Sequence, residues 1–203
     1  MRFGIRMQII LHRVNTTQQL KLIDKKYGIE VDIRTYGDEL ILHHDPFQGG
    51  ESLCDWLNNF DHKVIIANVK EEGLESRVKK EFKKRNITNF FFLDQSFPFL
   101  MKLIRTNEKR TAVRYSDFES IGTVMSLTGK VDWVWIDSFD RFTLTPEQNK
   151  NLKNVGFKLC LVSPELQGQD LLIEGENIRQ SIIEGKLEFD ACLLYTSPSP
   201  RDS

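Results

Sequence analysis

The sequence predicts a parallel α/β protein of the (β/α)8 TIM-type barrel class, and three observations predict it. Eight short runs rich in Ile, Val, Leu and Phe recur along the chain, the pattern of strands buried on both faces. Segments with helical spacing separate them, and strand–helix alternation at this interval builds a parallel sheet. The Gly-rich fingerprint of an open dinucleotide-binding sheet is absent, so eight strands favour closure into a barrel.

The strand runs are residues 7–12, 28–34, 63–69, 89–94, 111–114, 133–137, 157–162 and 188–194. Helices are expected over 16–26, 74–85, 97–105, 118–127, 146–154 and 169–184. The first follows Asn15, an expected N-cap. The second sets Leu74, Val78 and Phe82 on one stripe with Lys and Arg elsewhere, the signature of a helix packed on a core. In 146–154, Thr145 is the expected N-cap and Pro146 takes the first helical position. One place breaks the alternation. Segments 28–34 and 39–44 are joined by Thr35-Tyr36-Gly37-Asp38, too short for a crossover helix, so the second strand carries a hairpin extension.

A chain of 203 residues supports one substantial core and is short for two ordinary domains. Hydrophobic residues at 40% and charged residues at 28% are the balance of a soluble globular protein. A net charge of -1 gives no global reason to expect nucleic acid or an anionic membrane as partner. No apolar run approaches the roughly 20 residues that span a bilayer. Arg2 and Arg6 are followed by no long apolar stretch, so no signal peptide is expected. Cys54, Cys160 and Cys192 are scattered without a CxxC pair. That argues against a disulfide framework or zinc–thiolate site and for a reducing, cytoplasmic compartment. The string from Cys192 to Ser203 reads as a translated sequencing-library adaptor; a disordered Ser/Pro-rich terminus is the ordinary alternative. The expected domain is therefore 1–191, with 192–203 a foreign tail and the barrel truncated at its eighth strand.

In a (β/α) barrel the active site lies at the C-terminal ends of the strands. Glu30 and Asp32 are two apart on a strand and project from one face. Two carboxylates in a barrel interior must be paired or bound to a cation, and oxygen ligands suit Mg²⁺ or Ca²⁺. A structural salt-bridge cluster with Lys70, Arg13 or Arg34 satisfies the same requirement, and spacing alone does not separate the two. His12 and His44 stand at neighbouring strand ends, where an imidazole can take or give a proton near neutral pH. Four strand ends bearing His, Glu/Asp, His-Asp and Asn/Lys favour a site over a set of ordinary polar loop residues. His43 faces the other way on an extended segment and His62 lies in a loop; both are expected to be structural. Arg13, Lys70 and Arg114 are cations able to neutralise a phosphate. For Arg114 counter-charge to local carboxylates is the expected role. The basic segment 77–85 is a solvated helix face, with no aromatic residues on its polar side to stack on bases.

His12-Arg13, Glu30-Val31-Asp32 and His44-Asp45-Pro46, with the Gly28 lead-in and the hairpin, resemble the HRG…ExD…HDP signature of glycerophosphodiester phosphodiesterases. That family is related to the phosphatidylinositol-specific phospholipase C barrels. The resemblance covers the first third of the chain well. It implies a (β/α) barrel, chemistry at a phosphodiester, His12 and His44 as the acid/base pair, Glu30 and Asp32 as ligands of a divalent cation, and Arg13 on phosphate. Three departures mark a divergent member. Val14 stands where the family has Gly. Asn68-Val69-Lys70 replaces Glu-x-Lys, so the third metal ligand would be the Asn68 amide oxygen, with Lys70 on phosphate. The segment 162–166 does not follow the family pattern. The expected function is a metal-dependent phosphodiesterase acting on a small-molecule glycerophosphodiester or a related one. The alternative is a non-catalytic phosphoester or sugar-phosphate binding barrel that has lost part of its metal site. A Schiff-base aldolase using Lys70 is disfavoured by Glu71 and Glu72 beside it, since such an amine needs a desolvated setting.

Overall fold

The computed structural model describes residues 7–195. Its contacts fall into two compact units, residues 10–111 and residues 112–195 with 7–9.

The first unit contains β1 (Gln8–Leu11) through Ile10 and Leu11, then α1 (Thr17–Leu22), β2 (Gly28–Tyr36), β3 (Glu39–Leu42), β4 (Glu51–Ser52), α2 (Leu53–Leu57), β5 (Ile65–Val69), α3 (Glu75–Lys84), β6 (Phe90–Leu93) and α4 (Phe97–Arg105). β2 pairs in parallel with β1 and β5, and β5 pairs in parallel with β6. Every residue of β5 and β6 is buried, which is why these runs are continuously apolar rather than alternating. β3 returns antiparallel on β2, the expected hairpin, with Gly37 at a left-handed φ of 59° in its turn. A side chain at Gly28 would collide with Val64 and Ile10, so glycine there lets the second strand enter the sheet. Asp32 lies in register with Asn68 across the β2–β5 pair. The α3 stripe buries Val78 and Phe82 fully, and Phe82 meets Phe90 edge-on at 4.7 Å.

Element boundaries depart from expectation where side chains cap turns. The helix expected over 16–26 covers only Thr17–Leu22. Its N-cap is Thr16, not Asn15, because Thr16 and Gln19 form a reciprocal capping box, which satisfies two orphan donors at once. It ends at Ile23, whose backbone is extended, and the Asp24 side chain then accepts the Lys26 amide, a local competitor of helix. The short β4 and α2 were not expected. Ser52 caps α2, which buries Leu53, Trp56 and Leu57.

The second unit contains β7 (Ala112–Tyr115), α5 (Ile121–Ser126), β8 (Trp133–Ile136), α6 (Pro146–Asn154), β9 (Lys158–Val162), a 3-10 turn (Pro164–Gln167), α7 (Glu174–Gly185) and β10 (Ala191–Leu194). β7, β8, β9 and β10 pair in that order, all parallel. Gln8 of β1 donates its amide to the Asp190 carbonyl at 2.8 Å. α6 matches its expected span, with Thr145 and Gln148 forming a capping box and Pro146 at its start. The helix expected over 118–127 starts only at Ile121, after the Ser120 cap. The one expected over 169–184 becomes the 3-10 turn followed by α7. Trp133 and Trp135 are both buried.

Of the tail 192–203, Cys192 and Leu193 pair with Leu161 and Val162 inside β10; residues 196–203 lie outside the described residues. Cys54, Cys160 and Cys192 are free thiols. Among the described residues no helix is long and apolar enough to cross a membrane.

Candidate active site

The site lies wholly within the first unit. β2 carries Glu30 and Asp32 to full burial, both at 0% exposure, and two buried carboxylates are tolerable only where donors and cations serve them. Glu30 Oε2 accepts the Arg13 backbone amide at 2.7 Å, and Oε1 accepts Asn68 Nδ2 at 2.9 Å. Asp32 Oδ2 accepts Asn15 Nδ2 at 2.8 Å, while the Asp32 amide donates to Asn15 Oδ1 at 2.9 Å. Two cations approach Asp32: Lys70 Nζ lies 3.3 Å from Oδ1 and Arg13 Nε 3.8 Å from Oδ2. Lys70 also lies 3.3 Å from Asp94 Oδ2. Among the described residues, Asp32 Oδ1 and Asn68 Oδ1 are buried oxygens that accept no hydrogen bond.

The β1–α1 loop explains how two residues reach Glu30 together. Arg13 sits in the left-handed region at φ 54°, uncommon for a non-glycine residue and a form of strain found at functional loops. From there its amide meets the Glu30 side chain, and the next amide, of Val14, meets the Glu30 carbonyl at 3.0 Å. Val14 itself packs into the core at 1% exposure. The residue in the special backbone conformation is therefore Arg13, and Val14 serves packing.

His12 is the inner histidine, with its Nε2 3.9 Å from Glu30 Oε2. Burial first, then the charges of Arg13, Lys70 and His44, outweigh the opposing pull of Asp32 and lower its pKa to about 4. It is neutral at physiological pH, so this contact is not an ion pair. Glu30 moves the other way: burial first, and then repulsion by Asp32, raise its carboxyl. Both shifts follow from removing charge from a low-dielectric interior. His44 reaches the site through the hairpin. The His43 amide donates to the Asp32 carbonyl at 3.1 Å, and Arg34 Nε donates to the His44 carbonyl at 2.9 Å. The His44 ring has Nδ1 2.7 Å from Asp45 Oδ1 and is partly open to solvent.

The structure brings His12, Arg13, Glu30, Asp32, Asn68 and Lys70 together, with His44 within electrostatic reach of His12. Arg34 does not pair with the carboxylates. It lies 3.7 Å from Glu71, which turns back to accept the Thr35 amide at 3.2 Å. Lys70 is seated between two aspartates rather than presented alone to a phosphate. His43 accepts the Asp45 amide at 3.0 Å and His62 donates to the Ile23 carbonyl at 3.2 Å, both structural ties. Arg114 lies in the second unit, 3.9 Å from both Asp137 and Glu119, as counter-charge. Asn15 and Asp94 complete the site without having been assigned a role in it from sequence.

Among the described residues, no group of three or more His, Cys, Asp or Glu side chains is gathered as a metal site. The expected ligands are two carboxylates and an amide. The buried Asp32 Oδ1 and Asn68 Oδ1, from residues paired across β2 and β5, fit a hard cation in their chemistry.

No protein-family model matches this chain. No curated protein matches its sequence. Among the crystal structures that share its fold are two phosphodiesterases. One is a glycerophosphodiester phosphodiesterase from Agrobacterium tumefaciens, at TM-score 0.63 and 15% identity, covering 92% of this chain and 96% of that one. The other is a glycerophosphoryl diester phosphodiesterase from Parabacteroides distasonis, at TM-score 0.60 and 11% identity, covering 96% of this chain and 85% of that one. The resemblance read from three short motifs thus extends to an α/β fold shared along nearly the whole chain.

Proposed function

We propose that this chain is a divergent phosphodiesterase of the glycerophosphodiester class, built on a (β/α)8 barrel, with His12 and His44 as its acid/base pair. The observation that carries the reading is the buried Glu30–Asp32 pair, flanked by His12, Arg13 and Lys70 at adjoining strand ends. In this reading Glu30, Asp32 and Asn68 hold a Mg²⁺ or Ca²⁺ ion, which when bound polarises a phosphoryl oxygen. Arg13 binds a phosphate oxygen, and Lys70 supplies a second positive charge. His12, held neutral, takes the proton of the attacking water or substrate hydroxyl at Nε2. His44 gives a proton to the departing alkoxide, with Asp45 orienting its ring.

A second reading, a non-catalytic phosphoester-binding protein, draws on two observations. Asn68 lacks the charge of a third carboxylate, and Lys70 already sits on Asp32.

The test pairs cation binding with turnover. Metal-stripped protein should melt higher as Mg²⁺ or Ca²⁺ is titrated in, since a ligand of the folded state stabilises by mass action, and Asp32→Asn should abolish the rise. Hydrolysis of glycerophosphocholine should fall by about 100-fold or more in His12→Ala and in His44→Ala. Absent turnover with phosphate or a glycerophosphodiester still bound would replace the enzyme by the binding protein. Turnover undiminished in both histidine variants would remove the acid/base assignment.

A further inference from the structure

The β1–α1 loop places Asn15 between two fixed points. Val14 before it is locked in the core, and Thr16 after it caps α1. Thr17 adds a third tie, its amide donating to Glu51 Oε2 at 2.7 Å. Because Thr16 does the capping, the Asn15 side chain is not spent on the helix. It turns instead to Asp32 and makes two bonds with that one residue, Nδ2 to the carboxylate and Oδ1 from the backbone amide. A planar carboxamide fixed at both ends sets the rotation of the carboxylate it holds. Oδ2 is committed to Asn15, and Oδ1 is turned toward Lys70. Asn68 does the equivalent for Glu30, through one bond.

We propose that Asn15 is a positioning residue of this site, holding Asp32 in the single orientation that the reaction uses. The inference rests on the phosphodiesterase reading, in which Asp32 is a working carboxylate. Among the described residues the Asn15 side chain hydrogen-bonds to Asp32 and not to the histidines or the basic side chains, so its effect passes through Asp32. A carboxylate whose oxygen is displaced by a fraction of an ångström loses rate rather than substrate affinity.

The experiment compares Asn15→Ala with Thr16→Ala, which loosens the same loop without touching Asp32. Asn15→Asp is the third variant: it keeps an acceptor for the Asp32 amide, removes the donor and sets a second carboxylate against the Asp32 oxygen. Turnover of glycerophosphocholine and of bis(4-nitrophenyl) phosphate is followed with Mg²⁺ or Ca²⁺ present, well below each melting temperature. In Asn15→Ala and Asn15→Asp, kcat should fall by about tenfold to 100-fold with KM within about twofold. Thr16→Ala should melt lower yet keep kcat within about twofold of the parent. The inference is overturned if either Asn15 variant keeps the parent kcat, or if Thr16→Ala loses kcat as they do. A parent chain inactive on both esters sinks the phosphodiesterase reading, and the positioning role with it. An active parent with indifferent Asn15 variants sinks the positioning role alone.

Discussion

Each unit of this protein buries an aspartate at a strand end, and the two are treated differently. Asp32 on β2 is 0% exposed and Asp137, just past β8, is 3% exposed. Both Asp137 oxygens are bonded: Oδ1 accepts the Ser138 amide and Gln167 Nε2 at 3.0 Å, and Oδ2 accepts Gln167 Nε2 at 2.9 Å. Its cation, Arg114, stands off at 3.9 Å. Asp32 has one oxygen held by Asn15 and one that takes no hydrogen bond, with a second buried carboxylate two residues away. A buried acid with both oxygens hydrogen-bonded ties its surroundings together. A buried acid with capacity left over, beside a like charge, lowers stability and is a functional signal.

The sharpest way to break this comparison is to neutralise one acid in each unit. Glu30→Gln relieves the repulsion from Asp32 and keeps the shape, but turns an amide donor toward the Arg13 amide or Asn68 Nδ2. The two effects oppose, so stability at neutral pH should shift by less than about 1 kcal/mol. Turnover should fall by about 100-fold or more. Asp137→Asn should do the reverse, losing about 1–3 kcal/mol of stability as donors lose their acceptor while turnover stays within about threefold. Thermal melting and ester hydrolysis on the same two variants decide it. If Asp137→Asn were the inactive one, leftover bonding capacity would not be what marks the site.

The same contrast shows what the sequence could and could not reveal. Most strands were legible as short runs rich in Ile, Val, Leu and Phe, of a length that suits a strand better than a helix. Glu30 and Asp32 were legible because period two puts them on one face. Asn15 was misassigned although the signal was present. Thr16 followed three residues later by Gln19 is the capping-box pattern, and applying it moves the cap and releases Asn15. The role of Arg34 was not legible: whether a long side chain turns to Asp32 or to Glu71 depends on how far the hairpin carries it past the sheet. The α2 turn was missed because five residues are too few for a period, though Leu53, Trp56 and Leu57 already carry the spacing of one buried face.

A smaller effect lies in the acid range, elsewhere in the same unit. Burial alone would raise the Glu108 carboxyl, but hydrogen bonds from Arg110 and then Lys79 hold it down at about 2. Lys84 first, and also Arg85 and Cys54, hold Glu81 at about 2 despite partial burial. Both folded values lie below the usual carboxylate range, so the unfolded chain takes up these protons first as pH falls. The stability they contribute is complete above about pH 4.5 and is lost between there and about pH 2. Urea denaturation should show Glu108→Gln weaker than the parent near neutral pH, with the gap closing on acidification. A gap independent of pH would mean that these ion pairs add nothing to stability. Unlike Glu30→Gln, this variant should leave turnover unchanged.

A similarly small effect on stability is expected at Arg13, where the backbone and the side chain do separate jobs. The backbone amide serves Glu30 at 2.7 Å, and the left-handed φ of 54° is what brings it there. Arg13→Gly keeps that amide and relieves the left-handed strain. The greater freedom of glycine in the unfolded chain offsets the gain, so stability should shift by less than about 1 kcal/mol. What disappears is the guanidinium. If it binds a phosphate oxygen, KM for glycerophosphocholine should rise by about tenfold with kcat little changed, since a charge-assisted hydrogen bond is worth about 1.5–3 kcal/mol. That split is the mirror image of the one expected for Asn15→Ala. A fall in kcat at constant KM would instead make Arg13 a partner of Asp32, and the 3.8 Å approach of its Nε to Oδ2 would be the contact that matters.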